Sequence, residues 1–257
     1  MPAEIDDEFV TEWNILSQPP DQPSITQGCN VYTRLMGIIS KITKYIYPLK
    51  APLVDGKGLI RLDQVKEIEQ DLERWRTSIP DHLVQPAKES RFFKQAGWLR
   101  MSYYSLQLLL YRSFIHYATP VSVRTRRGVN GELSKSGKTG LTPHNQKYYT
   151  YAAKCLNAAR AILRTADNMH KGTGIRSAYW VFRERSKLMK FTMYSIFNAT
   201  IILLFCVIQN PSDAANDALI QDAEYGRKVI QELTGRSLTA ARCCALINVI
   251  HLPSYLT

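Results

Sequence analysis

An all-α fold, a single multi-helix domain of about seven helices, is what this sequence predicts, on three observations. Apolar residues recur with helical spacing along almost the whole chain. No run alternates with the two-residue period of a strand, and no 20- to 50-residue repeat is present, which disfavours a parallel sheet or a regular solenoid. Proline, glycine and short capping residues fall where the apolar periods stop, as helix boundaries require.

Each element follows from these signals. From Ser24 to Tyr47 the residues Cys29, Tyr32, Met36, Ile39 and Ile46 form one stripe, and Leu35, Ile38, Ile42 and Tyr45 form a second beside it. This helix is therefore expected to bury a wide face, and Pro48 ends it. Asp63 stands where its carboxylate could cap the next helix. That helix's stripe is Val65, Ile68, Leu72, Trp75 and Ile79, and Pro80 stops it. A long helix from about Phe92 to Tyr117 places Ala96, Leu99, Tyr103, Leu106, Leu110 and Phe114 on one face, with Trp98, Met101 and Leu109 adjoining.

The run from about 118 to 142 is rich in Gly, Ser, Lys and Arg and has no apolar period, so it is expected to be a flexible basic insertion. Thr142-Pro143 then reads as an N-cap followed by proline at the first helical position, where its missing N–H costs nothing. The stripe Tyr148, Ala152, Cys155, Ala159, Ile162, Ala166 and Met169 has many small residues and suits a close helix neighbour, with Gly172 and Gly174 as its expected end. The helix from about Ser177 to Gln209 is the most apolar segment. No residue from Phe191 to Ile208 is charged, a span long enough to raise the membrane question. Thr192, Ser195, Asn198 and Thr200 interrupt it, and a helix through the centre of a soluble all-α domain is also apolar all round. Asn210-Pro211-Ser212-Asp213 opens a helix with Leu219, Ala223, Gly226, Ile230 and Leu233 inward, and Gly235 closes it. Ser237 caps a last helix through Cys244, Ile247 and Ile250.

Composition narrows the function. The chain has 257 residues and a net charge of +11, from 33 Lys and Arg against 22 Asp and Glu. Basic residues are scattered except for Arg124, Arg126, Arg127, Lys135 and Lys138 in the insertion, which reads as a solvated loop. The five cysteines, Cys29, Cys155, Cys206, Cys243 and Cys244, include no Cys-x-x-Cys pair and fall among apolar residues, as core residues in a reducing compartment do. The acidic start, Met1 to Glu8, has no secretory h-region.

The motifs that suggest chemistry fail on spacing. Gly137-Lys138-Thr139 resembles the end of a phosphate-binding loop, but position 132 is Glu where that loop needs glycine. Asp6-Asp7-Glu8 lacks the carboxylate that would complete a magnesium box, because position 10 is Val. No two of His82, His116, His144, His170 and His251 stand three or four residues apart, as a helical metal pair requires. No Gly-x-Ser-x-Gly elbow surrounds any serine. No enzyme is expected, and regulation by contact is.

Three segments carry a resemblance. The first is Pro2 to Phe9, with Ile5-Asp6-Asp7 at its centre. The second is Trp98 to Phe114, with Tyr104, Arg112 and Phe114 in a run ending Leu-Leu-Leu-Tyr-Arg-Ser-Phe. The third runs from Tyr179-Trp180 through the apolar helix to Asn210-Pro211, then to Leu233, Ser237 and Ala241-Arg242. In order and spacing they resemble the regulatory, or middle homology, domain of fungal binuclear zinc-cluster transcription factors. There an Ile-x-Asp pattern follows a Gly-Arg-Pro turn, and a Leu-Leu-His-Arg-Pro-Phe-like run ends the long helix; Tyr111 and Ser113 depart from it, and Arg112 and Phe114 match.

The resemblance implies Ile5, Asp7, Tyr104, Arg112, Phe114, Asn210, Pro211 and Arg242 as family-motif structural positions, with Arg112 a candidate buried charge that fixes helix orientation. It implies a nuclear protein, with the cytoplasm secondary, that modulates RNA polymerase II transcription. Expected partners are co-regulators, a homodimer partner or a small-molecule effector, with no membrane. A membrane-anchored protein or a generic helical scaffold is the alternative. The family's zinc is held by six closely spaced N-terminal cysteines that this chain lacks, so no cofactor is expected here, and DNA would be reached only through that missing module. Met1 stands where the Gly-Arg-Pro turn would end. The chain is thus expected to be the C-terminal part of a larger helical domain, leaving an apolar face uncovered and favouring poor solubility or dimerisation.

Overall fold

A computed structural model describes residues 1, 3–19, 21–47, 61–117, 143–177, 187–209, 211, 216–235 and 237–251. Eight α-helices are present among them: α1 (Ile25–Ile46), α2 (Leu62–Thr77), α3 (Asp81–Val84), α4 (Phe93–Tyr111), α5 (Pro143–Ser177), α6 (Lys187–Gln209), α7 (Asn216–Glu232) and α8 (Leu238–His251). Two 3-10 segments, Asp7–Phe9 and Arg112–Tyr117, join them. No strand occurs among the described residues, and the one isolated bridge pairs Val10 with Ile15. The fold is all-α, as the periodicity predicts. The basic insertion, the Gly137-Lys138-Thr139 motif, Tyr179-Trp180 and the Thr142 cap lie outside the described residues.

The chain forms two compact units, Met1–Leu106 and Gln107–Thr257. In the first, the Ser24 hydroxyl accepts the Thr26 N–H at 3.0 Å and starts α1. Val31, Leu35, Ile38, Ile42 and Ile46 form its buried face, with Tyr32, Met36 and Ile39 half-buried beside them. Cys29 corrects the sequence reading, because it is exposed. Nine residues before Ile38, it lies on the opposite side of the helix.

In α2 the predicted stripe is buried at Val65, Ile68, Leu72 and Trp75, whereas Ile79 lies past the end of the helix at Thr77 and is half-buried. Asp63 is not the cap: Arg61 holds that position without a side-chain bond, and Asp63 sits in the first turn and pairs with Arg61 at 2.7 Å. An acidic group there faces the positive end of the helix dipole. The Trp75 indole N–H donates to the Val31 carbonyl at 2.8 Å, and its ring stacks on Tyr103 at 5.6 Å. Pro80 is followed at once by α3, whose four residues bury Leu83. The long helix expected to Tyr117 is α-helical only to Tyr111, and its last residues tighten into the 3-10 segment, as helix ends often do.

In the second unit every residue of the predicted α5 stripe is buried, from Tyr148 to Met169. Gly172 and Gly174 do not end this helix, which continues to Ser177. Glycine costs about 1 kcal/mol against alanine inside a helix, so it weakens a helix without forcing it to stop. Helix α6 packs against α5, α7 and α8. Its Thr192–Gln209 span is long and apolar enough to cross a membrane by length and composition, but 61% of it is buried within the fold. Thr192, Ser195 and Thr200 are among its buried residues, and the Thr200 hydroxyl donates to the Ile196 carbonyl at 2.9 Å. Gly226 lets α7 approach: a Cβ there would collide with the Thr200 hydroxyl and crowd Leu163. The Ser237 hydroxyl accepts the Ala240 N–H at 3.3 Å and starts α8, as predicted.

Candidate functional site

The N-terminal motif is a polar clip. Asp6 is buried, and its Oδ1 accepts both the Ser24 hydroxyl and the Ile25 N–H at 2.7 Å. Its own N–H donates to Gln18 Oε1 at 2.8 Å, and the Arg91 guanidinium lies 3.6 Å from Oδ2. Arg91 also donates to the Pro23 carbonyl, and the Thr26 hydroxyl donates to the Ile5 carbonyl at 3.2 Å. Burial pushes the Asp6 carboxyl up, but the bonds from Ser24 and Ile25 and the nearby Arg91 charge together hold it below the usual carboxylate range. Asp6 therefore supplies a buried anion at the N-terminus of α1, where unpaired N–H groups and the helix dipole favour one.

This arrangement shifts one motif position. Asp7, which the Ile-x-Asp pattern selects, is exposed in the 3-10 turn, and its backbone carbonyl accepts the Val10 N–H at 3.1 Å. The working carboxylate is its neighbour. Ile5 is half-buried and takes part through its carbonyl. Tyr104 is half-buried, edge-on to Tyr103 at 5.4 Å.

The other motif positions lie in the second unit. Phe114 is 2% exposed, with its ring 5.0 Å from Tyr151 and stacked on Tyr148 at 5.7 Å. Tyr111 stacks on Tyr151, and the Lys154 ammonium caps both rings at 5.5–5.7 Å. Arg112 is not a buried charge: the 3-10 turn leaves it exposed while Phe114 points inward. Pro211 is exposed and accepts a hydrogen bond from the Asn216 side chain at 3.1 Å, and Asn210 lies outside the described residues. Arg242 is exposed on α8. Ile5 and Tyr104 fall in one unit and Arg112, Phe114, Pro211 and Arg242 in the other; of the described motif positions Phe114 alone is a buried core residue, and Asp7, Arg112, Pro211 and Arg242 are exposed. Sequence reasoning missed Asp6, Ser24 and Arg91; the Ser-Ile-Thr start of α1 was the available signal.

Burial pushes the Cys155 and Cys206 thiols up to about 12 and raises Cys243 as well, so they remain protonated. Among the described residues no group of three His, Cys, Asp or Glu side chains could hold a metal. Zinc bound by the implied family needs clustered thiolates; here Cys155 on α5 and Cys243 and Cys244 on α8 are buried, Cys206 on α6 is half-buried and Cys29 on α1 is exposed, a set that does not fit it. His82 is half-buried with its ring 4.6 Å from Phe92, and burial together with the Arg91 charge lowers its pKa.

Basic residues are spread over both units, and the carboxylates are what differ. Residues 1–106 carry 13 Lys and Arg against 14 Asp and Glu, and residues 107–257 carry 20 against 8. The whole net positive charge resides in the second unit.

Comparison with known proteins finds fungal transcriptional regulators. The chain is 27% identical over 260 residues to Activator of stress genes 1 of Saccharomyces cerevisiae, covering 97% of this chain and 24% of that protein. It is 23% identical to Activator of stress genes protein 1 of Candida albicans, covering 97% and 26%. It is 24% identical to the ABC-transporter-regulating transcription factor of Aspergillus fumigatus, covering 70% and 18%. The chain spans about a quarter of the length of the first two of these relatives. No family model matches it, and no solved structure does. The relatives that align with most of this chain are fungal transcriptional regulators of the zinc-cluster type, the same group that its three sequence segments resemble.

Proposed function

We propose that this chain is a regulatory domain of a fungal zinc-cluster transcription factor and modulates RNA polymerase II transcription through contacts with other proteins or an effector. The observation that carries the reading is similarity to transcriptional regulators across 97% of the chain. The relatives are named as regulators and not as enzymes, and the described side chains offer packed rings, caps and protonated thiols. DNA is reached through a zinc cluster supplied by another segment or another chain, and the site of action is the nucleus. Co-regulators, a second copy and a small molecule are the partner classes. A membrane-anchored or generic scaffold role is not favoured, because regulators align along the chain and the apolar α6 packs against three other helices.

A tethering experiment tests this. The chain is placed between a heterologous DNA-binding domain and an activation segment in yeast, and reporter output is compared with a fusion carrying a neutral linker of the same length. The expected outcome is a several-fold change in output that is lost when the second core is disrupted by Phe114→Ala with Gly226→Val. Output equal to the linker control at matched protein level contradicts the reading.

A further inference from the structure

The N-terminal turn carries the largest exposed apolar side chain of the first unit among the described residues. Thr11 and Asn14 close a two-residue loop: the Thr11 N–H donates to the Asn14 carbonyl at 2.9 Å, and the Asn14 N–H returns a bond to the Thr11 hydroxyl at 2.9 Å. Below it the Leu16 N–H donates to the Phe9 carbonyl at 2.8 Å. Glu12 and Trp13 form the tip, where Trp13 is 84% exposed and Val10, Ile15 and Leu16 are exposed beside it. The base is held by Gln18, which accepts the Asp6 N–H at 2.8 Å and donates to the Gln22 carbonyl at 2.7 Å. Gln22 in turn donates to the Glu8 carboxylate at 2.9 Å. The turn is therefore pre-organised, which lowers the ordering cost of binding, and tryptophan is a frequent anchor in interfaces.

The surroundings of Trp13 are acidic. Residues 1–33 contain six carboxylates, Glu4, Asp6, Asp7, Glu8, Glu12 and Asp21, and no Lys or Arg. Asp6 is matched by Arg91 at 3.6 Å. The other five are exposed and enter no ion pair among the described residues. An apolar tip ringed by carboxylates is repelled by nucleic acid and by anionic membranes, and it complements an apolar groove with a basic rim.

We propose that this turn docks on another protein, with Trp13 in an apolar groove of the partner and Glu8 and Glu12 facing Lys or Arg at the rim of that groove. The inference rests on the reading of the chain as a regulator that works by contact, and it names one surface and the chemistry of its partner. A tryptophan buries about 150–250 Å², and a stable interface needs about 1,200–2,000 Å² in total. Trp13 with its three apolar neighbours falls short of that, so the contact belongs to the weak, transient class.

Fluorescence titration of the full chain tests this, because among the described tryptophans Trp13 alone is exposed, while Trp75 is buried and Trp98 half-buried. The probes are three designed helical hairpins: one with a Leu-lined groove rimmed by Lys, one with the same groove rimmed by Glu, and one with the Lys rim but Ala in the groove. The Lys-rimmed Leu groove should shift the tryptophan emission to shorter wavelength, with a dissociation constant on the order of 10 μM at low salt that rises several-fold at high salt. The other two probes should bind at least tenfold more weakly. The chain as a whole carries a net charge of +11, so unspecific attraction would favour the Glu rim, and preference for the Lys rim reports the turn itself. Trp13→Ala, read by calorimetry, and Glu8→Lys combined with Glu12→Lys should each weaken binding at least tenfold with helical content unchanged. No binding of the Lys-rimmed probe by about 100 μM, well above the range expected of such a contact, overturns the proposal. So does binding that neither variant weakens, or tighter binding of the Glu rim. The titration needs no transcription. A tethered chain without effect on the reporter would remove the functional reading while leaving a bound probe to stand for the surface, and an active tethered chain with no bound probe would remove the surface alone.

Discussion

The two units hold themselves together by different means. In Met1–Leu106 polar bonds tie the helices to each other: the Asp6 clip, the Trp75 indole on the Val31 carbonyl, and Lys41 of α1 between Glu67 and Asp71 of α2. In Gln107–Thr257 small side chains let helices approach closely. Ala152, Cys155, Ala158 and Ala159 have almost no exposure, and Gly226 meets Thr200. The second unit has an interhelical ion pair, Arg160 with Asp222 at 2.5 Å, but its packing depends mainly on volume. A polar clip fails when a charge is removed, and a close helix crossing fails when an atom is added. The first unit should therefore respond to pH and the second to side-chain size.

The largest expected effect is in the second unit. Phe114→Ala removes a buried ring from the Tyr148 and Tyr151 stack and should cost about 3–5 kcal/mol in denaturant unfolding. Gly226→Val should cost about 1–3 kcal/mol by forcing α7 away from Thr200, whereas the same change at Gly235, which has open space around it, should cost far less. If the two glycine variants are equally stable, close packing is not what holds this unit together.

In the first unit Asp6→Ala should cost about 1–2 kcal/mol, the range of a lost cap, and its effect should depend on pH. The folded-state pKa of Asp6 is depressed, so its contribution is fully present above the unfolded value of about 4 and is lost as pH falls through the lower folded value. Thermal unfolding of wild type and variant should differ most near neutral pH and converge in acid. A difference that persists unchanged at pH 2 contradicts the clip. The smallest effect is Asp7→Ala, expected within about 0.5 kcal/mol because the side chain is exposed; equal losses at positions 6 and 7 would remove the distinction between the neighbours.

The same contrast explains what was legible in the sequence. The α5 stripe could be read residue for residue, because seven apolar positions over more than five turns leave little choice of face. Four-residue α3 could not, since a single turn has no period. The Asp6-Asp7 pair shows two carboxylates in sequence, and only the fold of the chain over α1 decides which one turns inward. Arg112 stands two residues from both Leu110 and Phe114, about 200° around an α-helix from Leu110, so the stripe itself pointed it outward; only the resemblance suggested burial, and it is exposed. The charge difference between the halves was present in the residue counts, but it had no meaning until the boundary after Leu106 was known.

The central claim is that this chain acts by contact within a transcriptional regulator. It is tested most directly by reporter output from the tethered chain, comparing wild type with Phe114→Ala and Asp7→Ala at equal protein levels. The account predicts a several-fold effect for wild type that Asp7→Ala preserves and Phe114→Ala abolishes. A reporter that gives the same output for all three and for the linker control would contradict it.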